Sequence, residues 1–398
     1  MRGPEPNPTV SASKRGATVR LALLAAFPFP APQGSQWFAA EQARALADSG
    51  ADVTLFCYGT GDGRPHAGLR VVRVPEALSP ARLRAGFDAA KWRADRALGR
   101  NLLADHRRQP YDAILAHNAE AALVALALRP RLGVPIVYVA HTLWREELGT
   151  YLPRGVGGPS RVAGGVLDRF IARRADAVLA LSECGHAALA RAARGPIARI
   201  VPGLHPGAAP HPDDVAAVCW RHGLSPDSYV IYAGNLDAYQ DLPDLDAAAG
   251  VLDGLPVVAA THDAKGPALP SLELLEVTTP EEARLLVYGA RAAVVPRRHT
   301  GGFPIKLLQY MEAARPIVAM ARVADTLEHE ESGWLLPDDA SPAALARALR
   351  RCCEDEALRT RLGAGARKVL ENEHSWPSLA EATRALTARA IGAAPGQG

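Results

Sequence analysis

The chain has 398 residues, of which 48% are apolar and 22% are charged, so a fibrous or largely disordered protein is excluded and two domains are expected. A net charge of +3 gives no global signal for nucleic-acid binding. The five cysteines contain no CxxC pair, which indicates neither a zinc ribbon nor a disulfide framework and favours a reducing compartment such as the cytoplasm.

The amino-terminal segment is polar and rich in proline over residues 1–17, and we expect it to be a disordered tail. The apolar run 21–27 that follows is far shorter than the ~18 residues that a membrane span needs. Because Lys14 and Arg15 precede this run, a signal peptide is the alternative. We favour a buried first strand, since a turn, a helix and a second strand follow at once.

Apolar runs alternate with segments of helical periodicity along the whole chain. The run 19–26 is predicted as a buried parallel strand. Further strands are predicted over 52–57, 69–74, 112–116, 135–140, 177–182, 198–201, 229–233, 256–260, 272–277, 292–296 and 316–320. A helix is predicted over 36–48, and the segment 203–214, rich in Pro, Gly and His, is predicted to be a linker between two sets of strands. The sequence therefore predicts two α/β units, with a ligand site in the cleft between them.

Polar residues follow several predicted strands at the carboxyl end, where open parallel sheets bind ligands. His117 and His141 each come just after a strand, although a histidine hydrogen-bonded within its loop is the favoured interpretation for His117. Thr142 follows His141 and is a candidate acceptor contact. Thr261 and His262 follow another strand and are candidates for donor phosphate or sugar, with a plain polar loop as the simpler alternative.

The segment after the run 292–296 carries the strongest signal for a phosphate. Gly301 and Gly302 allow close approach of a ligand, and Pro304 is predicted at the first position of a helix whose free amides favour an anion. Lys306 lies in this first turn, and Gln309 and Tyr310 share its face. A glycine-rich turn before an ordinary helix explains the same residues equally well.

This segment, Gly-Phe-Pro-Ile-Lys-Leu-Leu-Gln-Tyr-Met-Glu-Ala-Ala-Arg-Pro-Ile-Val-Ala, resembles the donor-site signature of GT-B glycosyltransferases of family 4. Four other segments resemble that family in the same order: 30–35, 232–237, 331–337 and 374–376. The resemblance covers about residues 18–390. It implies two Rossmann-like domains facing across a cleft, an acceptor-side domain over 18–205 and a nucleotide-sugar domain over 206–375. Over 376–398 it implies a terminal helix that packs back on the first domain, and a tail.

The resemblance, together with the strand-end positions, assigns the site residues. His141 aligns with the family histidine near the reacting sugar and is taken as catalytic together with Lys306. The donor-binding candidates are Asn235, Thr261, His262, Arg297, Arg298, Gly301, Gly302, Phe303, Pro304 and Gln309, and the acceptor-side candidates are Gly34, Ser35, His117 and Thr142. The implied reaction moves a sugar from a nucleotide-diphosphate sugar, with UDP as a guess, to an acceptor hydroxyl with retention of configuration and without metal or cofactor.

The donor motif departs from the family pattern at four positions. The two usual glutamates are replaced by Gly301 and Gln309, and the usual Arg and Lys of the second domain are replaced by Asn235 and Gln240. Lys306, Arg297 or Arg298 are candidates to supply the missing cations. A divergent enzyme is favoured. The alternative is a catalytically degenerate protein that binds a nucleotide sugar or partners an active transferase, and an epimerase or hydrolase on the same fold ranks last.

A basic helical stretch spans residues 82–108, with apolar residues between its arginines. Such helices can bind anionic membrane surfaces, and a solvated face is the favoured alternative. A peripheral location on the inner face of the membrane therefore stays open, as does the oligomeric state.

Overall fold

A computed structural model describes residues 18–29, 34–59, 68–80, 89–148, 157–264, 267–300 and 302–393. The expectations for the tail 1–17, for Gly301 and for the start of the basic stretch at 82–88 lie outside the described residues. The described part contains two parallel sheets, one of seven and one of six strands. The predicted α/β architecture of two units is confirmed.

The first sheet contains β1 (Arg20–Pro28), β2 (Asp52–Tyr58), β3 (Arg70–Arg73), β4 (Ala113–His117), β5 (Ile136–Ala140), β6 (Ala177–Ala180) and β7 (Ile197–Arg199). Its strand order is β3-β2-β1-β4-β5-β6-β7. The helices around it are α1 (Gly34–Asp48), α2 (Ala89–Arg108), α3 (Asn118–Leu132), α4 (Trp144–Glu147), α5 (Gly157–Arg174) and α6 (Glu183–Ala190). Strands β4 and β5 are buried along their whole length because helices cover both faces of the sheet.

The second sheet contains β8 (Val230–Ala233), β9 (Val257–Thr261), β10 (Glu273–Glu276), β11 (Ala292–Val295), β12 (Ile317–Met320) and β13 (Trp334–Leu336). Its order is β10-β9-β8-β11-β12-β13, so that β8 and β11 are neighbours. The helices that follow the first domain are α7 (Pro212–Arg221), α8 (Leu242–Ala249), α9 (Pro280–Gly289), α10 (Lys306–Glu312), α11 (Pro342–Glu354), α12 (Glu356–Glu373) and α13 (Trp376–Ala393).

Every run predicted as a strand forms one, and the differences are confined to the ends. The helix predicted to start with Pro304 starts instead at Lys306, because Pro304 and Ile305 form a turn whose carbonyls accept the amides of Leu307 and Leu308. Helix α10 is consequently shorter than expected.

The terminal helix α13 returns to the first domain and packs against α1. Trp376 is 1% exposed, and its ring lies 5.3 Å from that of Trp37 in an edge-to-face arrangement. The Gln42 amide donates to the Thr383 hydroxyl at 3.1 Å in the same interface. The helix that follows the second domain is therefore anchored to the first domain through buried contacts.

Candidate functional site

The two domains meet at the carboxyl ends of their sheets. Gly302, after β11, packs so closely on the loop after β5 that a Cβ atom there would lie 2.2 Å from the His141 carbonyl oxygen and 2.9 Å from Thr142 Cγ2. At the start of α1, a Cβ on Gly34 would lie 3.1 Å from Ile305 Cγ1. The acceptor-side candidates Gly34 and Thr142 and the catalytic candidate His141 therefore lie against the donor motif.

His117 and His141 form a buried pair on the acceptor side of this cleft. His117 Nδ1 and His141 Nε2 are 2.9 Å apart, and the two side chains lie at the ends of the neighbouring strands β4 and β5. Burial lowers the pKa of His141 to about 3 and that of His117 well below its ordinary value, so both rings are neutral at pH 7. The rings of His141 and Phe38 pack in an edge-to-face arrangement with their centroids 5.2 Å apart.

The other nitrogen of each ring in this pair, His117 Nε2 and His141 Nδ1, is buried without a hydrogen-bond partner among the described residues. A buried polar atom without a partner is costly, and such groups are often found at functional sites. The expectation that His117 is bonded within its own loop is thus replaced by a bond to His141.

Glu147 of α4 is a further acceptor-side carboxylate. Burial, with the nearby charges of Glu120 and Asp168, raises its pKa to about 7, while a hydrogen bond with Thr142 and the charge of Arg297 oppose the rise. The pKa of Glu147 therefore depends on groups of both domains, Thr142 in the first and Arg297 in the second. The structure places Glu147 beside Thr142.

Arg297 is buried at the end of β11 and clamps the glycine segment. Its Nε donates to the His299 carbonyl at 2.6 Å and its Nη2 to the Gly302 carbonyl at 2.8 Å. The guanidinium also lies 5.5 Å from the centre of the Tyr239 ring. Arg297 thus sets the shape of the segment that meets His141.

Arg298 bonds to groups within the second domain. Its guanidinium pairs with Asp244 and donates to the carbonyls of Asp338 and Ala340 at 2.8 and 2.6 Å. Its backbone amide donates to Asp241 at 2.7 Å. With these bonds Arg298 is occupied by structural partners, and its expected contact with the donor is not supported.

Lys306 points from the first turn of α10 to the turn after β8. Its ammonium donates to Gln240 Oε1 at 3.0 Å and lies 3.7 Å from the centre of the Tyr232 ring. Burial and the neighbouring Arg297 lower the pKa of Lys306 well below its ordinary value. Lys306 and Arg297 thus share one corner of the cleft.

Two residues of the donor motif belong to the core instead of a ligand face. Phe303 is 7% exposed and its ring lies 5.4 Å from that of His374. Tyr310, expected beside Lys306 and Gln309, is fully buried, and its hydroxyl accepts the Ala233 amide at 2.8 Å. Tyr310 is buried because α10 packs against α12 and β12, whereas Phe303 precedes α10 and packs against His374 at the end of α12.

For the remaining donor and acceptor candidates, the structure gives burial and local contacts that do not distinguish a ligand-binding role from a structural one. Thr261, at the end of β9, is buried and bonds Asp263 of its own loop, which is the simpler of the two expectations. His262 is exposed, Gln309 and Ser35 are half-buried, and Pro304 is buried.

The basic stretch forms α2, which buries Ala94, Leu98 and Leu102 and exposes Arg93, Arg96 and Arg100. Trp92 on this surface is 63% exposed. None of the described helices combines the length and the hydropathy required to cross a bilayer.

Comparison with known families and proteins identifies both domains. The family described as "Glycosyl transferase 4-like domain" matches residues 33–203, and "Glycosyl transferases group 1" matches residues 260–355. A D-inositol 3-phosphate glycosyltransferase of Xylanimonas cellulosilytica is 28% identical over 93% of this chain and 97% of its own length. The enzyme of the same name from Kineococcus radiotolerans is 27% identical over 95% and 97%.

Solved structures share the fold at low sequence identity. Sucrose-phosphate synthase from Thermosynechococcus elongatus superposes with a TM-score of 0.78 at 18% identity, covering 94% of this chain and all of the other. Anabaena Alr3699/HepE in complex with UDP and glucose superposes with a TM-score of 0.71 at 16% identity, covering 93% and 99%. With its two facing sheets, its two matched domains and these relatives, the chain belongs to the GT-B glycosyltransferases, with a family 4-like first domain.

Proposed function

We propose that this glycosyltransferase takes its sugar from a nucleoside-diphosphate sugar whose diphosphate lies beside Lys306 and Arg297. One observation carries the proposal: neither cation has a carboxylate within 4.0 Å in the part of the chain that the structure describes, although both are at least partly buried. Two adjacent cations with no carboxylate in contact are costly in a protein interior, and Glu147 and Asp241 offset the charge of Arg297 only from a longer distance. A diphosphate would supply the missing charge.

The same two cations suit the chemistry of a leaving diphosphate. Glycosyl transfer breaks the bond between the anomeric carbon and the diphosphate oxygen, and negative charge develops on that oxygen. Cations already fixed in a cleft that excludes water stabilise such charge most strongly. UDP is the proposed nucleotide, since structural neighbours were solved with UDP and glucose, or with UDP-2-fluoro glucose.

The acceptor is proposed to enter from the first domain, at Thr142 and the buried pair His117 and His141. The acceptor oxygen bonds to the anomeric carbon, and its proton passes to the departing diphosphate oxygen. Attack from the face that the diphosphate leaves gives retention, and no metal ion is needed if Lys306 and Arg297 carry the charge. The relatives are named for D-inositol 3-phosphate, so a polyol acceptor is the first to test.

A titration of the purified protein with UDP tests the donor site. We expect Lys306→Met to weaken UDP binding by about a hundredfold, because a buried charge-assisted contact is worth roughly 3 kcal/mol. Lys368→Met removes an exposed lysine of α12 and is the matched control. Equal affinity in wild type and Lys306→Met would contradict the site.

A panel of UDP-, GDP- and dTDP-sugars with polyol acceptors tests the reaction. Turnover in the presence of EDTA supports metal independence, and the coupling constant of the anomeric proton in the first-formed product reports retention. Binding of a nucleotide sugar without turnover on a panel containing the true acceptor would instead favour the degenerate alternative, which the replacement of the family glutamates by Gly301 and Gln309 motivates.

A further inference from the structure

The turn after β8 contains a continuous chain of side-chain hydrogen bonds that ends at Lys306. The Asn235 amide nitrogen donates to Asp237 at 2.7 Å and to the Tyr239 hydroxyl at 3.1 Å. The Asn235 amide oxygen accepts from Gln240 Nε2 at 2.9 Å, and Gln240 Oε1 accepts from the Lys306 ammonium at 3.0 Å. Four side chains of one short turn thus connect to a lysine that is 66 positions further along the chain.

Asp237 fixes which groups donate and which accept along this series of hydrogen bonds. A carboxylate only accepts hydrogen bonds at neutral pH, so Asp237 requires the nitrogen of the Asn235 amide. The Asn235 oxygen must then face Gln240, and the Gln240 oxygen must face Lys306. Each amide is therefore held in one orientation, and the last atom of the chain can receive only a donor.

The backbone of the same turn leaves room for the ammonium. A Cβ on Gly234 would lie 2.9 Å from Lys306 Nζ and 3.2 Å from its Cε. The Tyr232 hydroxyl donates to the Asn235 carbonyl at 2.6 Å, and its ring lies under the ammonium. Three groups thus surround the end of the lysine side chain: the backbone of Gly234, which carries no Cβ atom, the face of the Tyr232 ring, and the amide oxygen of Gln240.

A neutral amide is an informative partner for this cation. A carboxylate at position 240 would pair with the ammonium, whereas an amide oxygen orients it without adding a counter-charge. Gln240 is only 5% exposed, so its amide is committed to Asn235 and Lys306.

We propose that Asn235 and Gln240 are positioning residues, which hold the Lys306 ammonium in the place where the leaving diphosphate needs it. The inference rests on the proposed function and deepens it, because it names Gln240 as the residue beside which Lys306 contacts the phosphate. The cation reaches that place from α10 instead of from the turn itself. The functional unit is consequently the pair 240 and 306.

Two variants test the assignment by titration with UDP. In Gln240→Glu a carboxylate pairs with Lys306, so we expect thermal stability to be equal or higher while UDP binds about tenfold to a hundredfold more weakly. A merely structural role of Gln240 would move stability and affinity in the same direction. Gln109→Glu, an exposed site in the first domain, makes the same change in net charge and is the control.

The exchange variant Gln240→Lys with Lys306→Gln moves the cation to the other side of the same hydrogen bond. We expect it to bind UDP within about fivefold of wild type, whereas Lys306→Gln alone loses about a hundredfold. An exchange variant that folds but binds as weakly as Lys306→Gln would overturn the positioning role, as would wild-type affinity in Gln240→Glu. If Lys306→Gln itself retains wild-type affinity, the proposed diphosphate site fails as well, which separates the two failures.

Discussion

Gly302→Ala tests the contact that joins the donor segment to the acceptor domain. The new Cβ atom would lie 2.2 Å from the His141 carbonyl oxygen, where atoms in van der Waals contact are roughly 3.5 Å apart. The clash is with backbone, which cannot rotate away, so the facing segments must separate by about 1 Å. A misplacement of that size can cost ~100-fold in rate, or about 2.7 kcal/mol of transition-state stabilisation.

The assay is the kcat/KM for UDP release from the donor that the panel identifies. Gly158→Ala is the matched control, because nothing lies within 4 Å of a Cβ atom at this exposed position of α5. We expect kcat/KM to fall only in Gly302→Ala, with a small-angle scattering curve that indicates a wider cleft. A kcat/KM within twofold of wild type and an unchanged scattering curve would refute the role of this contact.

Three further outcomes are expected. His117 and His141 are held neutral in the folded protein but titrate near pH 6.5 in the unfolded chain. The free energy of unfolding should therefore be highest above that pH and fall by about 1.4 kcal/mol per pH unit for each ring as the pH drops below it. Urea unfolding at pH 7 and pH 5 measures this difference, and equal free energies at the two pH values would contradict it. Arg297→Lys cannot bond both loop carbonyls, so kcat/KM should fall about tenfold with little change in melting temperature, and an unchanged rate contradicts the clamp. Trp376→Ala should lower the free energy of unfolding by about 3–5 kcal/mol in urea, and a loss below 1 kcal/mol would contradict the packing of α13 on α1.

The position of most site residues follows from the strand pattern alone. Apolar runs without alternation are the mark of strands covered on both faces, and His117, His141 and Arg297 come directly after such runs. Since the carboxyl ends of parallel strands lie along one edge of a sheet, a sequence that fixes the strands also fixes which loops reach the cleft.

The roles of Arg298 and Tyr310 could not be predicted in this way. Spacing places Tyr310 on the same helix face as Lys306, yet α10 packs so deeply that the Tyr310 hydroxyl meets the backbone of β8. Arg298 directly follows Arg297 in the sequence, but its side chain turns to Asp244 and two carbonyls. Adjacent residues on an extended segment point in opposite directions, and only the packed structure decides which of them reaches the cleft.

The sequence by itself determined the two-domain α/β architecture, the segments that border the cleft and the loss of the family's usual charges at positions 235 and 240. Only the tertiary structure decided where the Lys306 ammonium lies relative to these two positions. Strands β8 and β11 are neighbours in the second sheet, although more than fifty residues separate them, so the turn after one strand meets the helix after the other. The bond between Gln240 and Lys306 is a product of that strand order, which local sequence patterns do not encode.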